Sequence, residues 1–526
     1  MQVNPVKLIV AILFKFVSGI ILLAPEMSYA GEQSRDKQNF DILDASISEI
    51  QLRLESGEIT SVQLVKMYQA RIAAYDQKGP ALNAISVLNL KAMEHALQLD
   101  EERDRRGSRG PLHGIPILIK DNYETADMQT AVGSNIFKGW IPPHDATIVK
   151  RLREAGAIIL GKTNMHEFAM GFATHGSLFG QTRNPYAPNH IPGGSSGGTG
   201  AAVAANFASA GFGSDTCGSI RMPAAHNSLV GLRSTVGLTS RLGIVPLSHS
   251  WDTGGPMTHN VSDLAIIYDA IAGYDSGDPQ TAASTGHIPD SYTAFLKADG
   301  LRKQRLGVLT NLLIVDPEDR EVAHIVRAAV DAMKKAGAEV VDVNIPGLLA
   351  LMNDEFGGMY TILSDIRTDI NAYLAAHPSA PVGSVAEILK SDLLKDTELR
   401  ANFQTAVDFE PGPTLEYLSL NAKRQTIRQA VYVAMAEAQV DVLIYPTVRR
   451  KPALIGEPQH GTNCHLSGHI GFPAISVPAG FTEDGLPVGV ELMAREWQEP
   501  LLIQIAYAYE QVTQHRRLPE ITPALY

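Results

Sequence analysis

Ile115-Pro116-Ile117-Leu118-Ile119-Lys120 reads as a short apolar strand that ends on a charge. The pattern around it repeats that cadence. A helix over about 145–154 stops at Gly156, and residues 157–160 follow as a strand. Residues 305–310 predict another strand. Asp316 and Pro317 then open a helix as N-cap and first-turn proline, and it runs to Gly337. Residues 339–343 predict a strand, and 441–445 and 474–477 predict further buried strands. Short apolar strands alternating with helices imply an α/β fold: a mixed, largely parallel central sheet covered by helices on both faces. Upstream, Thr60 and Gln63 form a capping-box pattern, and Leu64, Met67, Tyr68, Ile72 and Tyr75 share one helical face. Residues 346–435 break the rhythm. They predict a mostly helical insertion, with loops at 377–382 and 409–414, within a single domain over 31–526.

Composition narrows the function. The chain has 526 residues, 45% hydrophobic and 19% charged, which is ordinary for a globular protein with a sizeable core. Its net charge of -12 argues against a nucleic-acid partner, because phosphate binding needs clustered Lys and Arg. At the N-terminus Lys7 precedes an apolar run over 8–24, and Ser28-Tyr29-Ala30 closes the stretch. This reads as a signal peptide over 1–30, giving an exported, periplasmic or secreted protein with no lasting membrane span. Lys15 interrupts the run, at ~2.5–3.5 kcal/mol on insertion scales. The alternative is a membrane anchor through 8–24. Only Cys217 and Cys464 are present, so no disulfide scaffold is expected, and both are predicted to be free thiols. The 16 histidines are scattered, and no metal site or cofactor is implied.

Three segments carry chemistry. NPYAPNHIPGGSSGGTG (184–200) is dense in glycine, which suits sharp turns and close approach. The bland reading is a flexible linker, but an Ala-rich helix former follows at once. In SDTCGSIRMPA (214–224), the backbone N–H groups before Ser219 could converge into an anion-binding nest. Aimed at a tetrahedral intermediate, such a nest is an oxyanion hole. Lys120 is the third element. A strand-end lysine often just reaches solvent, but a desolvated one has a lowered pKa and can deprotonate a serine hydroxyl. Two rivals concern the glycine loop. Gly193-Gly194-Ser195-Ser196-Gly197 matches the G-x-S-x-G elbow, which must follow a strand directly. Here prolines precede it. A phosphate loop is weaker still, since neither the GxxxxGK[ST] nor the GxGxxG pattern is present.

Together these segments resemble the amidase signature hydrolases, in particular the peptide amidase and aryl acylamidase branch. The resemblance covers about 45–515, and includes Gly114 to Asn122, Gly161-Lys162-Thr163-Asn164, Asp252 to Pro256 and Gly471-Phe472-Pro473-Ala474. It implies Lys120 as base, Ser195 as a relay serine after a cis peptide, and Ser219 as nucleophile. The implied oxyanion donors are the backbone N–H groups of Thr216, Cys217, Gly218 and Ser219. Cys217 stands where the family commonly has glycine, which places a thiol beside the nucleophile.

The resulting expectation is hydrolysis of an amide through an acyl-enzyme, on a small-molecule or peptide amide. His249 to Met257 and Asp369 to Leu374 also resemble the peptide and aryl amidase branch. Met165, Phe168, Met170, Phe172 and Phe179 either line an apolar pocket or belong to the core; Met170, Phe172 and Phe179 are the pocket candidates. Two other classes stay open. One is an esterase of α/β-hydrolase type using Ser195, and the other is a non-enzymatic exported solute-binding protein.

Overall fold

The computed structural model describes residues 40–353, 359–410 and 414–525. Asp41–Tyr526 forms one compact unit. Among the described residues, the strands are β1 (Ile85–Leu88), β2 (Pro116–Lys120), β3 (Ile158–Thr163), β4 (His175–Gly176), β5 (Gly180–Gln181), β6 (Ala210–Asp215), β7 (Val230–Arg233) and β8 (Thr253–Thr258). Then come β9 (Arg305–Leu309), β10 (Glu339–Val343), β11 (Val442–Pro446), β12 (Ala474–Phe481) and β13 (Pro487–Ala494). Eleven of them build one sheet, in the order β1-β3-β2-β6-β8-β7-β12-β13-β11-β9-β10. It is a mixed sheet with helices packed on it. Its parallel pairs form two blocks, β3-β2-β6 and β11-β9-β10. The strands between the blocks run antiparallel.

The reasons are local first. Every residue of β2 is buried, so its continuous apolar run suits a strand covered on both faces. Thr60 caps the helix Ser61–Tyr75 with a reciprocal Gln63 contact, and Leu64, Tyr68 and Ile72 are its buried stripe. Asp316-Pro317 starts a short 3-10 turn, Pro317–Asp319, which runs into the helix Arg320–Lys335. Between β10 and β11 the described chain is helical: Leu348–Asn353, Met359–Ala376, Val385–Lys390, Thr397–Asp408 and Leu415–Glu437. Ile362, Ile366, Ile370, Leu399 and Phe403 from this region share one apolar cluster with Met165, Phe168, Trp251 and Cys217. The helical segment therefore packs on the face that carries Ser219.

Residues 1–30 lie outside the described residues. Among the described residues, no helix is long and apolar enough to cross a membrane.

Candidate active site

The parallel block β3-β2-β6 brings three strand carboxyl ends to one edge, where open α/β sheets hold their ligands. Lys120 ends β2 and Ser214 lies near the end of β6. Ile119 is registered against Phe212, so the next side chain along β2 reaches Ser214. Lys120 Nζ lies 2.8 Å from Ser214 Oγ and 2.7 Å from Ser195 Oγ. Asn122 Nδ2 donates to the same Ser214 Oγ at 3.0 Å. Lys120 is 0% exposed. Burial lowers its pKa from 10.5 to about 7, against the opposing pull of the Asp252 and Asp215 carboxylates.

Ser195 sits just before the helix Gly197–Ala204, and the peptide Gly194–Ser195 is cis. Its carbonyl accepts from His166 N–H at 3.0 Å. No strand leads into it, so the nucleophile-elbow geometry is not formed. The glycine loop is buried and runs into a helix, which excludes the flexible linker.

Ser219 follows the turn after β6. Asp215 organises that turn, accepting from Gly218 N at 2.8 Å, from Ile220 N at 3.2 Å, and from the side chains of Arg221 and Arg233 at 2.9–3.1 Å. Burial alone would raise the Asp215 carboxyl, but the two guanidinium groups hold it well below the usual carboxylate range. One expected oxyanion donor is thereby corrected. The Gly218 N–H is committed to Asp215, which leaves the N–H groups of Thr216, Cys217 and Ser219 as the candidates. Gly218 has φ +86°, and a Cβ there would lie 2.6 Å from Cys464 Cβ. What comes close to Gly218 is therefore the chain at Cys464.

The cysteines correct a second expectation. Cys217 and Cys464 form a disulfide, with Cα atoms 5.0 Å apart. The turn around Cys217 leaves its side chain free to meet Cys464, just ahead of the helix His465–Ile470, within ordinary disulfide range. His465 Nδ1 lies 3.4 Å from Cys217 Sγ. The histidines scattered in sequence are thus partly gathered in space. Among the described residues, two groups of potential metal donors come together, Cys217 with Cys464 and His465, and His249 with Asp365 and Asp369.

Ser219 opens onto a cavity of about 830 Å³ that Thr216 and Cys217 also line. Of the pocket candidates, Met170 and Phe172 line it. Phe179 does not; it packs against the apolar cluster. Met165 and Phe168 are core. Sequence reasoning missed several wall residues: His166, Leu247, and Ile362, Leu363 and Ile366 from the helix Met359–Ala376. Burial pushes the His166 imidazole down to about 4, so it is neutral near pH 7. Asp252 was also missed. It accepts from Thr216 Oγ1 and from the N–H groups of Leu247 and Ser248, bracing the turn that leads to Ser219. The neighbouring Ser248 and Ser250 hydroxyls donate to Asp365, and His249 N–H donates to Asp369. These contacts tie the loop at 247–252 to the helix Met359–Ala376. An amphipathic pattern gives no signal for such a tie, because it does not say which helix meets which loop.

The amidase family model matches residues 63–503. A glutamyl-tRNA(Gln) amidotransferase subunit from Gloeothece citriformis is 35% identical over 505 residues, covering 91% of this chain and 99% of that protein. The crystal structure of peptide amidase from Stenotrophomonas maltophilia is 38% identical, with a TM-score of 0.85, and covers 91% of this chain and 99% of that one. A bacterial aryl acylamidase has a TM-score of 0.78 over 91% and 99% of the two chains; at 23% identity it speaks for the fold alone. These relatives overturn the location expected from residues 1–30. Matching proteins are named for a reaction on glutamyl-tRNA(Gln), a component of translation, and the exported or membrane-anchored assignment does not hold.

Proposed function

The chain belongs to the amidase family, and from that premise we propose that it cleaves amides with Ser219 as nucleophile, Ser195 as proton relay and Lys120 as base. The observation that carries the roles is the 2.7 Å contact between a fully buried lysine and Ser195. A neutral Lys120 takes the proton of Ser195 as Ser195 takes that of Ser219. Ser219 Oγ attacks the amide carbon, and the oxyanion rests on the N–H groups of Thr216, Cys217 and Ser219. Each such donor is typically worth ~2.7–4 kcal/mol. Ser195 returns a proton to the leaving amine or ammonia, and water then releases the acid from the acyl-enzyme. No step calls for a metal or an organic cofactor.

The substrate we propose is a C-terminal peptide amide with an apolar residue next to it. Likeness to peptide amidase supports this, as does a cavity wall of Met170, Phe172, Leu247, Ile362 and Ile366. A second reading, amidation on glutamyl-tRNA(Gln) beside other subunits, comes with the name of the curated relatives. The net charge of -12 offers little to tRNA phosphates.

The test is ammonia release from amidated dipeptides, with no tRNA present, alongside a panel of aryl anilides. A sulfonyl fluoride should abolish release and leave its adduct on Ser219 by mass spectrometry. An adduct on Ser195 would favour the esterase-type reading. Activity appearing only with glutamyl-tRNA and partner subunits would favour the amidotransferase reading.

A further inference from the structure

Cys217, on the cavity wall beside Ser219, is joined by a disulfide to Cys464. His465 follows Cys464 in the chain, and its Nδ1 is 3.4 Å from Cys217 Sγ. The two sulfurs and this nitrogen all lie within 4.8 Å of one another. Tetrahedral zinc, with Zn–S near 2.3 Å and Zn–N near 2.0–2.1 Å, holds neighbouring donors roughly 3.5–3.8 Å apart. The Cys217 sulfur–nitrogen separation of 3.4 Å is close to that geometry. The two sulfurs must part, and they part when the bond between them breaks.

We propose that reduction of Cys217–Cys464 converts this wall into a two-sulfur, one-nitrogen site for zinc or a similar soft divalent cation, and that its occupancy blocks the oxyanion nest. A dithiol supplies two electrons and two protons and becomes a cyclic disulfide; the S–S bond breaks and two thiols form. The cation then displaces both thiol protons, forming two metal–sulfur bonds and one metal–nitrogen bond. Two thiolates balance its double charge, so no net charge is buried. That matters because Arg221 Nη2 donates to Cys464 O at 3.4 Å nearby. The Arg221 charge is itself matched by Asp215 and Glu491. Three protein donors leave a fourth position for water, on the wall that Cys217 shares with Ser219. The other donor group, His249 with Asp365 and Asp369, is accounted for by the loop-to-helix hydrogen bonds described above.

The experiment uses the full chain, reduced with a phosphine, freed of reductant and titrated with cobalt(II) under argon. A thiolate-to-cobalt charge-transfer band should grow to about one equivalent in the reduced protein and be absent from the oxidised one. Amidase activity should fall along the same titration and return with a chelator. Cys464→Ser should lose the band. His465→Gln, with its fold and disulfide checked by circular dichroism and thiol titration, should weaken binding by at least the roughly 10–100-fold that loss of an outer-shell partner causes. Absence of the band after verified reduction would overturn the proposal, as would a band that survives Cys464→Ser. Full occupancy with unchanged amidase rate would overturn the blocking role. The band is read without any turnover, so the metal site stands or falls separately from the amidase reading.

Discussion

The base can be tested through its ionisation. Lys120 has its pKa lowered from 10.5 to about 7 by burial. At pH 7 about half the molecules then carry a neutral lysine, against roughly one in 3,000 at the unperturbed value. Burial thus makes the base about a thousandfold more available, a differential of about 5 kcal/mol between the two protonation states. Only the neutral amine accepts a proton, so kcat/KM on an amidated peptide should rise with pH through about 7 and then level off. A histidine base would also titrate in this range, but the imidazole of His166, on the cavity wall, is pushed down to about 4. Substitution therefore separates the two cases. Lys120→Met keeps the side-chain volume and removes the base. It should lower kcat by about 10²–10⁴-fold, and the remaining rate should lose the transition near pH 7. His166→Gln should keep that transition. If Lys120→Met retains the parent profile and rate, the lysine is a strand-end residue without a chemical role, and the proposed first proton transfer is wrong.

Three further outcomes follow from the same contacts. Ser219→Ala should show no turnover, whereas Ser195→Ala should keep a small residual rate, because water can stand in for a relay but not for a nucleophile; steady-state ammonia release on both variants decides this. Asp252→Asn removes the carboxylate that most opposes the lowering of Lys120, so the kinetic transition should move to lower pH, and a move upward would refute the assignment. Reducing Cys217–Cys464, which spans 247 residues of sequence, should lower stability by about 2–5 kcal/mol in denaturant titrations, and no change would mean that the reduced chain keeps the same constraint.

Much of the sheet is legible where a strand makes its own apolar run. β2, β3, β9, β11 and the start of β12 do so, β10 mixes valines with two acidic residues, and each stands close to its expected place. β6 and β8 do not. Their sequences, AGFGSD and TGGPMT, hold little of the β-branched residues that mark strands, and β8 carries Pro256 opposite Phe212. Their pairing is set by tertiary packing. A Cβ at Gly211 would lie 2.5 Å from the Thr199 methyl of the helix Gly197–Ala204, so the glycine lets helix and sheet close on each other. The same glycines that permit this contact erase the strand signal. This is why β6 and β8 are not legible where the apolar runs of β2, β3, β9 and β11 are.

The site divides along the same line. Lys120, Ser195 and Ser219, the residues proposed for catalysis, stand out in the sequence because each sits in a short segment whose residue types fit a chemical task. The groups that hold them do not, because their partners are distant in sequence. Asp252 steadies Thr216 through a hydrogen bond that spans 36 positions, and Asp365 joins Ser248 across 117. Met170 and Phe172 share their apolar pattern with Met165 and Phe168, yet the first two line the cavity and the others fill the core. The helix Met359–Ala376 adds Ile362 and Ile366 to the same cavity. That helix docks through Asp365 and Asp369 onto the loop that also carries Asp252. Cavity shape and the bracing of Thr216, beside the proposed nucleophile, thus depend on one loop. A change at Ser248 or Ser250 that loosens the helix should therefore disturb the Thr216 contact as well as substrate binding, even though neither serine touches a reacting atom.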